Sequence, residues 1–262
     1  MKKILGMGAL VTGALLLAGS AMAADLKAPG PMLMKAPPMP VMTWTGCYLD
    51  AGGGYGMWNQ DHSITTRAGF GTPDTTNGGR GWLGRFGAGC DYQVSSSWVI
   101  GVFGDYDWMN LKGSMATLLT NGGFATSGDE KESSAWAVGG RIGYLITPSV
   151  LTYVDGGWTE TRFDQINLIR ANGTPTGNTF PAHTYQGWFI GSGFEYAFTW
   201  LPINGLFVRS EYRYSTYQKD DLTETLATGA PGNILHASKQ VQTITSSLVW
   251  RFNWGGGLMS KY

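Results

Sequence analysis

Charge is what this chain has least of. Asp, Glu, Lys and Arg make up only 14% of its 262 residues, against about 25% in ordinary globular proteins. Neither sign dominates, with 18 basic and 18 acidic side chains. That balance offers no electrostatic footprint for nucleic acid, which is excluded as a partner. Cysteine occurs only twice and histidine three times. Nothing has close metal-ligand spacing, so no metal or other cofactor is expected. A Gly-x-Ser-x-Gly elbow is missing too, and the chain is not expected to be an enzyme. Beyond the first twenty or so residues there is no long apolar run. A helical membrane protein is therefore excluded.

The start of the chain has a purpose of its own. A basic end, Met1-Lys2-Lys3, precedes an apolar run from Ile4 to Ala18 and an exit at Ala21-Met22-Ala23. These are the parts of a secretory signal peptide, residues 1–23, cleaved after Ala23. The run is too short for a spanning helix. Ser20 stands where a lipoprotein would carry its lipidated cysteine. Residues 24–43 hold four prolines between Pro31 and Met42, and read as an extended periplasmic tether.

Glycine (40 residues) and aromatics (13%) are plentiful, a mixture that suits strands between lipid and a crowded lumen. From Trp44 the chain divides into eight segments of period-two alternation, near 44–58, 80–94, 97–111, 133–147, 149–163, 183–198, 205–218 and 239–254. Three connections are tight, at Ser95-Ser96, around Pro148 and at 199–204. Four are long, at 59–79, 112–132, 164–182 and 219–238. The reading is an all-β, eight-stranded antiparallel transmembrane β-barrel, an up-and-down meander over 44–254. It is placed in the outer membrane of a Gram-negative bacterium, with the N- and C-termini periplasmic. Residues 255–262 form a short C-terminal extension past the aromatic close of the last strand at Leu248, Trp250 and Phe252.

Aromatic spacing makes an independent case. Trp82 and Tyr92, Trp98 and Trp108, Trp136 and Tyr144, and Trp188 and Phe198 are separated by even numbers, so each pair shares a face. Ten tilted residues cover about 25 Å of membrane normal, the height between two aromatic girdles. The charges fall on the opposite face. Arg85, Arg141, Arg209, Arg213 and Arg251 are assigned to the lumen with Asp91, Asp105, Asp155, Glu195 and Glu211. An arginine facing mid-membrane lipid would cost about 2–4 kcal/mol. A barrel of eight strands is just wide enough for side chains, which favours a salt-bridged plug over an open path. Inward glycines such as Gly139, Gly143, Gly191 and Gly193 leave room beside the arginines. Cys47 and Cys90 come opposite one another near the periplasmic end, on the outward face. A cross-strand disulfide is expected there in preference to two free thiols. His62, His183 and His236 fall in three different long loops and are read as scattered, not as a ligand set.

Several stretches together resemble a known family. They are Trp44-Thr45-Gly46 after a Pro-rich leader, Trp136-Ala137-Val138-Gly139-Gly140-Arg141-Ile142-Gly143-Tyr144, Tyr153-Val154-Asp155-Gly156-Gly157, Gly187-Trp188-Phe189-Ile190-Gly191-Ser192-Gly193-Phe194-Glu195-Tyr196 and Arg209-Ser210-Glu211-Tyr212-Arg213-Tyr214. They look like the small eight-stranded outer-membrane proteins of alphaproteobacteria, the outer-membrane immunogenic or porin-family surface proteins. The resemblance implies an abundant surface barrel, with porins and haem binders among the family's members. The function expected is a structural, surface-interaction barrel and surface antigen displaying four external loops. The alternative is a narrow porin-like channel for small solutes, and haem or ligand binding by the loops is less favoured. Expected partners are outer-membrane lipid and lipopolysaccharide, the barrel-assembly machinery, and peptidoglycan or host surface molecules.

Overall fold

The computed structural model describes residues 43–117, 126–200 and 205–252. The signal peptide, nearly all of the tether and the 255–262 extension lie outside the described residues. The described chain forms eleven strands: β1 (Gly46–Thr65), β2 (Thr75–Gln93), β3 (Trp98–Thr117), β4 (Thr126–Thr147), β5 (Val150–Phe163), β6 (Ile166–Arg170), β7 (Pro175–Phe180), β8 (His183–Ala197), β9 (Leu206–Tyr217), β10 (Asp220–Thr225) and β11 (Pro231–Phe252).

Eight of them close a ring. Antiparallel pairing runs β1-β2-β3-β4-β5-β8-β9-β11, and β11 pairs back onto β1 from Cys47↔Phe252 to Thr65↔Ile234. The period-two pattern drives this closure. On β8 buried and exposed residues alternate from Tyr185 to Ala197, with glycines or larger side chains inward and Trp188, Ile190 and Phe194 outward. Closure removes the sheet edges that would otherwise template aggregation.

The remaining three strands correct the sequence reading. Much of 59–79, 112–132, 164–182 and 219–238 is strand, not loop. Past the ends of β5, β8 and β9, the wall continues through β6, β7 and β10. β6 pairs with the start of β4, β7 with β6, Thr225 of β10 with Thr179 of β7, and β10 with β11. A second ring, β1-β2-β3-β4-β6-β7-β10-β11, thus stands on the first. Glycine, threonine and asparagine made these stretches look like loops. Their sparse apolar residues, Ile64, Ile166, Leu168, Phe180, Leu222 and Leu235, instead line one buried cluster. Three hairpin tips share one geometry. Gly69, Gly173 and Gly229 have φ near +80°, and each donates its N–H to the carbonyl three residues back. This left-handed glycine after a type I turn is a standard hairpin closure.

The outer wall carries two aromatic belts. At the end bearing the long hairpins, the loop end, Trp82, Trp108, Trp136, Trp158 and Trp188 are exposed. At the opposite, turn end, so are Tyr92, Trp98, Tyr144, Tyr196 and Trp250, while Phe198 just past β8 is half-buried. Between the belts lie exposed Val102, Val138, Ile142, Val154, Ile190, Ile244 and Leu248.

Cys47 and Cys90 are register partners on β1 and β2 and are bridged. The bridge closes a loop with a sequence separation of 43, which in the chain-entropy model contributes at most ~4 kcal/mol. We expect reductant to lower the urea midpoint of the refolded wild type and to leave a Cys47→Ser, Cys90→Ser variant unmoved. Identical midpoints with and without reductant would remove the bridge from the stability account.

Candidate functional site

All ten charged residues assigned to the lumen point inward. The five arginines are buried, as are Asp91, Asp155, Glu195 and Glu211, and the Asp105 side chain is 6% exposed. They assemble as two linked groups. Nearer the turn end, Arg141 donates Nε and Nη2 to Asp91 (2.9 and 2.5 Å) and Nη1 to Glu195 (2.6 Å). Arg251 spans the same two carboxylates at 2.6 Å each. Arg209 reaches Glu195 through Nε at 2.8 Å and Asp50 through Nη1 at 3.0 Å. The Tyr48 ring lies within 4.6–4.9 Å of all three guanidinium carbons. Mid-barrel, Arg85 grips Asp107 with two bonds (2.7 and 2.8 Å) and Glu211 with a third (2.9 Å). Arg213 is bidentate to Asp105 (2.9 and 2.8 Å) and stacks on Phe189 at 4.3 Å. Tyr153 donates its hydroxyl to Glu211 at 2.9 Å.

Glycines make these contacts possible. Asp91, Gly101 and Arg141 stand in one register row across β2, β3 and β4. The Asp91 carboxylate lies over Gly101, where a methyl group would collide with it. An alanine there would separate the acid from its arginine. Gly191 accommodates Asp155 in the same way, and Gly193 the Tyr153 ring. The inward glycines are therefore filled by neighbouring side chains.

Sequence reasoning missed Asp50, Asp107, Tyr48 and Tyr153. Parity would have found both acids: Asp50 matches buried Tyr48, and Asp107 matches Asp105. With them, among the described residues between the two belts, seven carboxylates face five guanidiniums. Asp155 is buried, and neither of its oxygens has a hydrogen-bond partner. It borders a cavity of about 10 Å³ shared with Asp50, Arg85, Arg141 and Arg209. That is the room of one water molecule. A second cavity of about 10 Å³ lies between Asp107, Arg213, Tyr217 and Thr243.

Apolar clusters flank the network at both ends. At the turn end are Trp44, Val99, Leu145, Leu151, Ala197, Phe207 and Val249. Trp44 packs on Phe207 with centroids 5.0 Å apart and donates its indole N–H to the Pro148 carbonyl at 3.1 Å. At the loop end the larger cluster includes Trp58, Leu111, Met115, Phe163, Phe180, Tyr185 and Tyr217. Within it, beyond the tryptophan belt, sits Lys239. Its ammonium group bonds Gln60 and Glu130 and faces the Phe163, Trp58 and Tyr185 rings at 3.8, 5.1 and 5.1 Å. This cluster too escaped the sequence reading, which placed Gln60 and Glu130 in loops.

Glu132 lies at the same level, beyond Trp136. Burial raises its carboxyl from 4.5 to about 8, only partly offset by the Thr161 hydroxyl and Lys239. Its folded pKa is thus above its unfolded value. Between those two values the folded protein holds a proton that the unfolded chain has released, so stability falls as pH rises from 4.5 to about 8. Glu132→Gln mimics the protonated form. Its urea midpoint should fall less than the wild type's across that window. Parallel profiles would contradict the assignment.

The histidines do not converge. His62 is buried inside the wall and meets Thr75 at 3.1 Å, and burial lowers its pKa. His183 pairs with Asp220 at 2.9 Å. His236 links Thr65 (2.9 Å) to Asp221 (2.5 Å), tying β1, β10 and β11 at the rim. All three stand on strands, not in loops. Among the described residues no group of three His, Cys, Asp or Glu side chains is placed to hold a metal ion.

This arrangement, a closed ring between two aromatic belts with an ionic interior, meets an independent finding. The family model for an outer membrane protein beta-barrel domain matches residues 12–252. The chain belongs to that family. It is an outer-membrane β-barrel protein. Over 251 residues it is 26% identical to the 31 kDa outer-membrane immunogenic protein of Brucella melitensis biotype 1, covering 93% of this chain and 98% of the relative. The same figures hold for the protein of that name from Brucella suis biovar 1. Among solved structures, the outer membrane protein OprG from Pseudomonas aeruginosa matches with a TM-score of 0.51 at 14% identity. That match covers 79% of this chain and 97% of OprG, and at such identity it speaks for the fold alone.

Proposed function

We propose that this chain is a closed structural barrel that displays its long hairpins at the cell surface, with both chain ends in the periplasm. The observation that carries this reading is the sealed lumen. Five arginines and their carboxylates fill the cross-section, and apolar clusters cap it on both sides. The two cavities beside these arginines each have the room of a single water. Three short turns at one end and longer hairpins at the other support the orientation. The displayed rim carries polar ion pairs and an exposed Phe70, 64% accessible, at the β1–β2 tip. Such tips suit contact with host surface molecules. The outward aromatic residues Trp250 and Phe252 suit recognition by the assembly machinery.

The test of closure is solute flux. Liposomes containing the folded barrel should swell in a small neutral sugar no faster than protein-free liposomes. Swelling that slows with sugar size would replace this reading with the narrow-channel one. Maleimide labelling of intact cells carrying Phe70→Cys tests the orientation separately.

A further inference from the structure

Just past the loop-end tryptophan belt, the outer wall carries basic side chains in an order that costs energy. Arg80 on β2 is the register partner of Lys112 on β3, and Lys112 is the partner of Lys131 on β4. Arg162 follows on β5, opposite Ser134. The outward parity of β2, β3 and β5 passes through these positions, from Trp82 to Arg80, from Trp108 to Lys112 and from Trp158 to Arg162, while on β4 a register shift between Glu132 and Ser134 separates Lys131 from the parity of Trp136. Arg80, Lys112 and Arg162 are exposed, and the Lys131 side chain is 39% exposed. Like charges placed directly opposite one another in a sheet repel. Adjacent strands lie about 4.8 Å apart, so Arg80, Lys112 and Lys131 crowd three cations into about 10 Å.

Their own protein does little to relieve them. Lys131 has a partner in Asp164 at 3.6 Å. Asp129 lies two residues from Lys131 and is exposed. Among the described residues, no carboxylate forms an ion pair with Arg80, Lys112 or Arg162. The nearby Glu160 is engaged elsewhere, with the Trp136 indole (3.2 Å) and Gln186 (3.3 Å).

We infer that this row is a docking surface for a phosphorylated glycolipid of the outer leaflet. Its phosphate groups would bridge Arg80, Lys112 and Lys131, while its acyl chains lie on the exposed band below, against Trp108, Val138 and Trp136. Height is the deciding argument. The row stands about 7–13 Å along the strands from the tryptophans, where headgroups meet acyl chains. A soluble polyanion would have no use for continuity with the apolar wall. The inference rests on the proposal that the loop end faces outward.

The experiment uses the refolded full barrel in nanodiscs doped with bisphosphorylated lipid A or with its dephosphorylated form. Wild type should retain the phosphorylated lipid selectively, with affinity that weakens as salt rises. Each cation near an anionic surface is worth about five-fold, so Arg80→Ser, Lys112→Ser should bind about thirty-fold more weakly. Arg80→Lys, Lys112→Arg and the hairpin-tip variant Arg67→Ser should match wild type. Heat-modifiable migration verifies that each variant is folded. Should the serine variant not fold, the wild-type preference between the two lipids and its salt dependence decide the matter. Equal retention of both lipids, an undiminished serine variant, or equal affinity for soluble polyphosphate would overturn the proposal. Failure here with Phe70→Cys still labelled on intact cells would leave the orientation standing.

Discussion

Replacing Glu195 by Gln should lower the unfolding free energy by about 3–5 kcal/mol. Glu195 is fully buried and accepts hydrogen bonds from Arg141, Arg209 and Arg251. Glutamine keeps the shape and removes the charge. Three guanidiniums would then share Asp91 and Asp50, in a buried network with room beside it for about one water. The cost is that of an uncompensated buried charge, not the net worth of the ion pair. Glu160→Gln, on the outer wall, is the control and should cost under about 1 kcal/mol. Urea unfolding followed by tryptophan fluorescence separates the two. A Glu195→Gln midpoint equal to wild type would mean that water already solvates the network.

Trp44→Ala carries the second large effect, a loss of about 3–5 kcal/mol together with a breach of the turn-end seal. Trp44 is 1% exposed and is the largest side chain of the turn-end cluster. It holds Phe207 on one side, stacks under the Arg251 guanidinium at 4.8 Å, and accepts a bond from Arg251 through its carbonyl at 3.3 Å. Truncation to alanine would open the network to water from that end. The readout beyond stability is hydrogen exchange at β9 and β11 near Phe207 and Val249, which should accelerate in the variant. Unchanged exchange would mean that the remaining cluster closes the gap.

Much of this was legible in the sequence because β-structure has period two. Once Trp82 and Tyr92 fix the outer face of β2, Arg85 and Asp91 must face inward, and the same parity places Arg141, Arg209, Arg213 and Arg251. The Cys47–Cys90 pairing followed from hairpin register. What parity cannot supply is the partner across the lumen. Arg85 meets its register neighbour Asp107, and Arg209 meets its neighbour Glu195. Arg141, however, passes over its own neighbour Asp155 to reach Asp91 across Gly101. That choice is made by the space above a glycine, which no spacing rule encodes. The second ring was hidden for a different reason. In Ile166–Arg170 and Asp220–Thr225 a single strand face supplies only one or two apolar residues, too few to stand out amid threonine and asparagine. They fold as strands because the ends of β4 and β11 offer unpaired edges above the membrane wall.

The central claim is that the lumen is closed. Planar-bilayer recording of the refolded barrel tests it most directly, beside an Arg141→Ala, Arg213→Ala variant that thins the charged network. The account predicts a silent wild type whose folded state is verified by heat-modifiable migration. Discrete wild-type steps that grow in the variant would contradict it, because they would mean that water and ions already pass between these arginines.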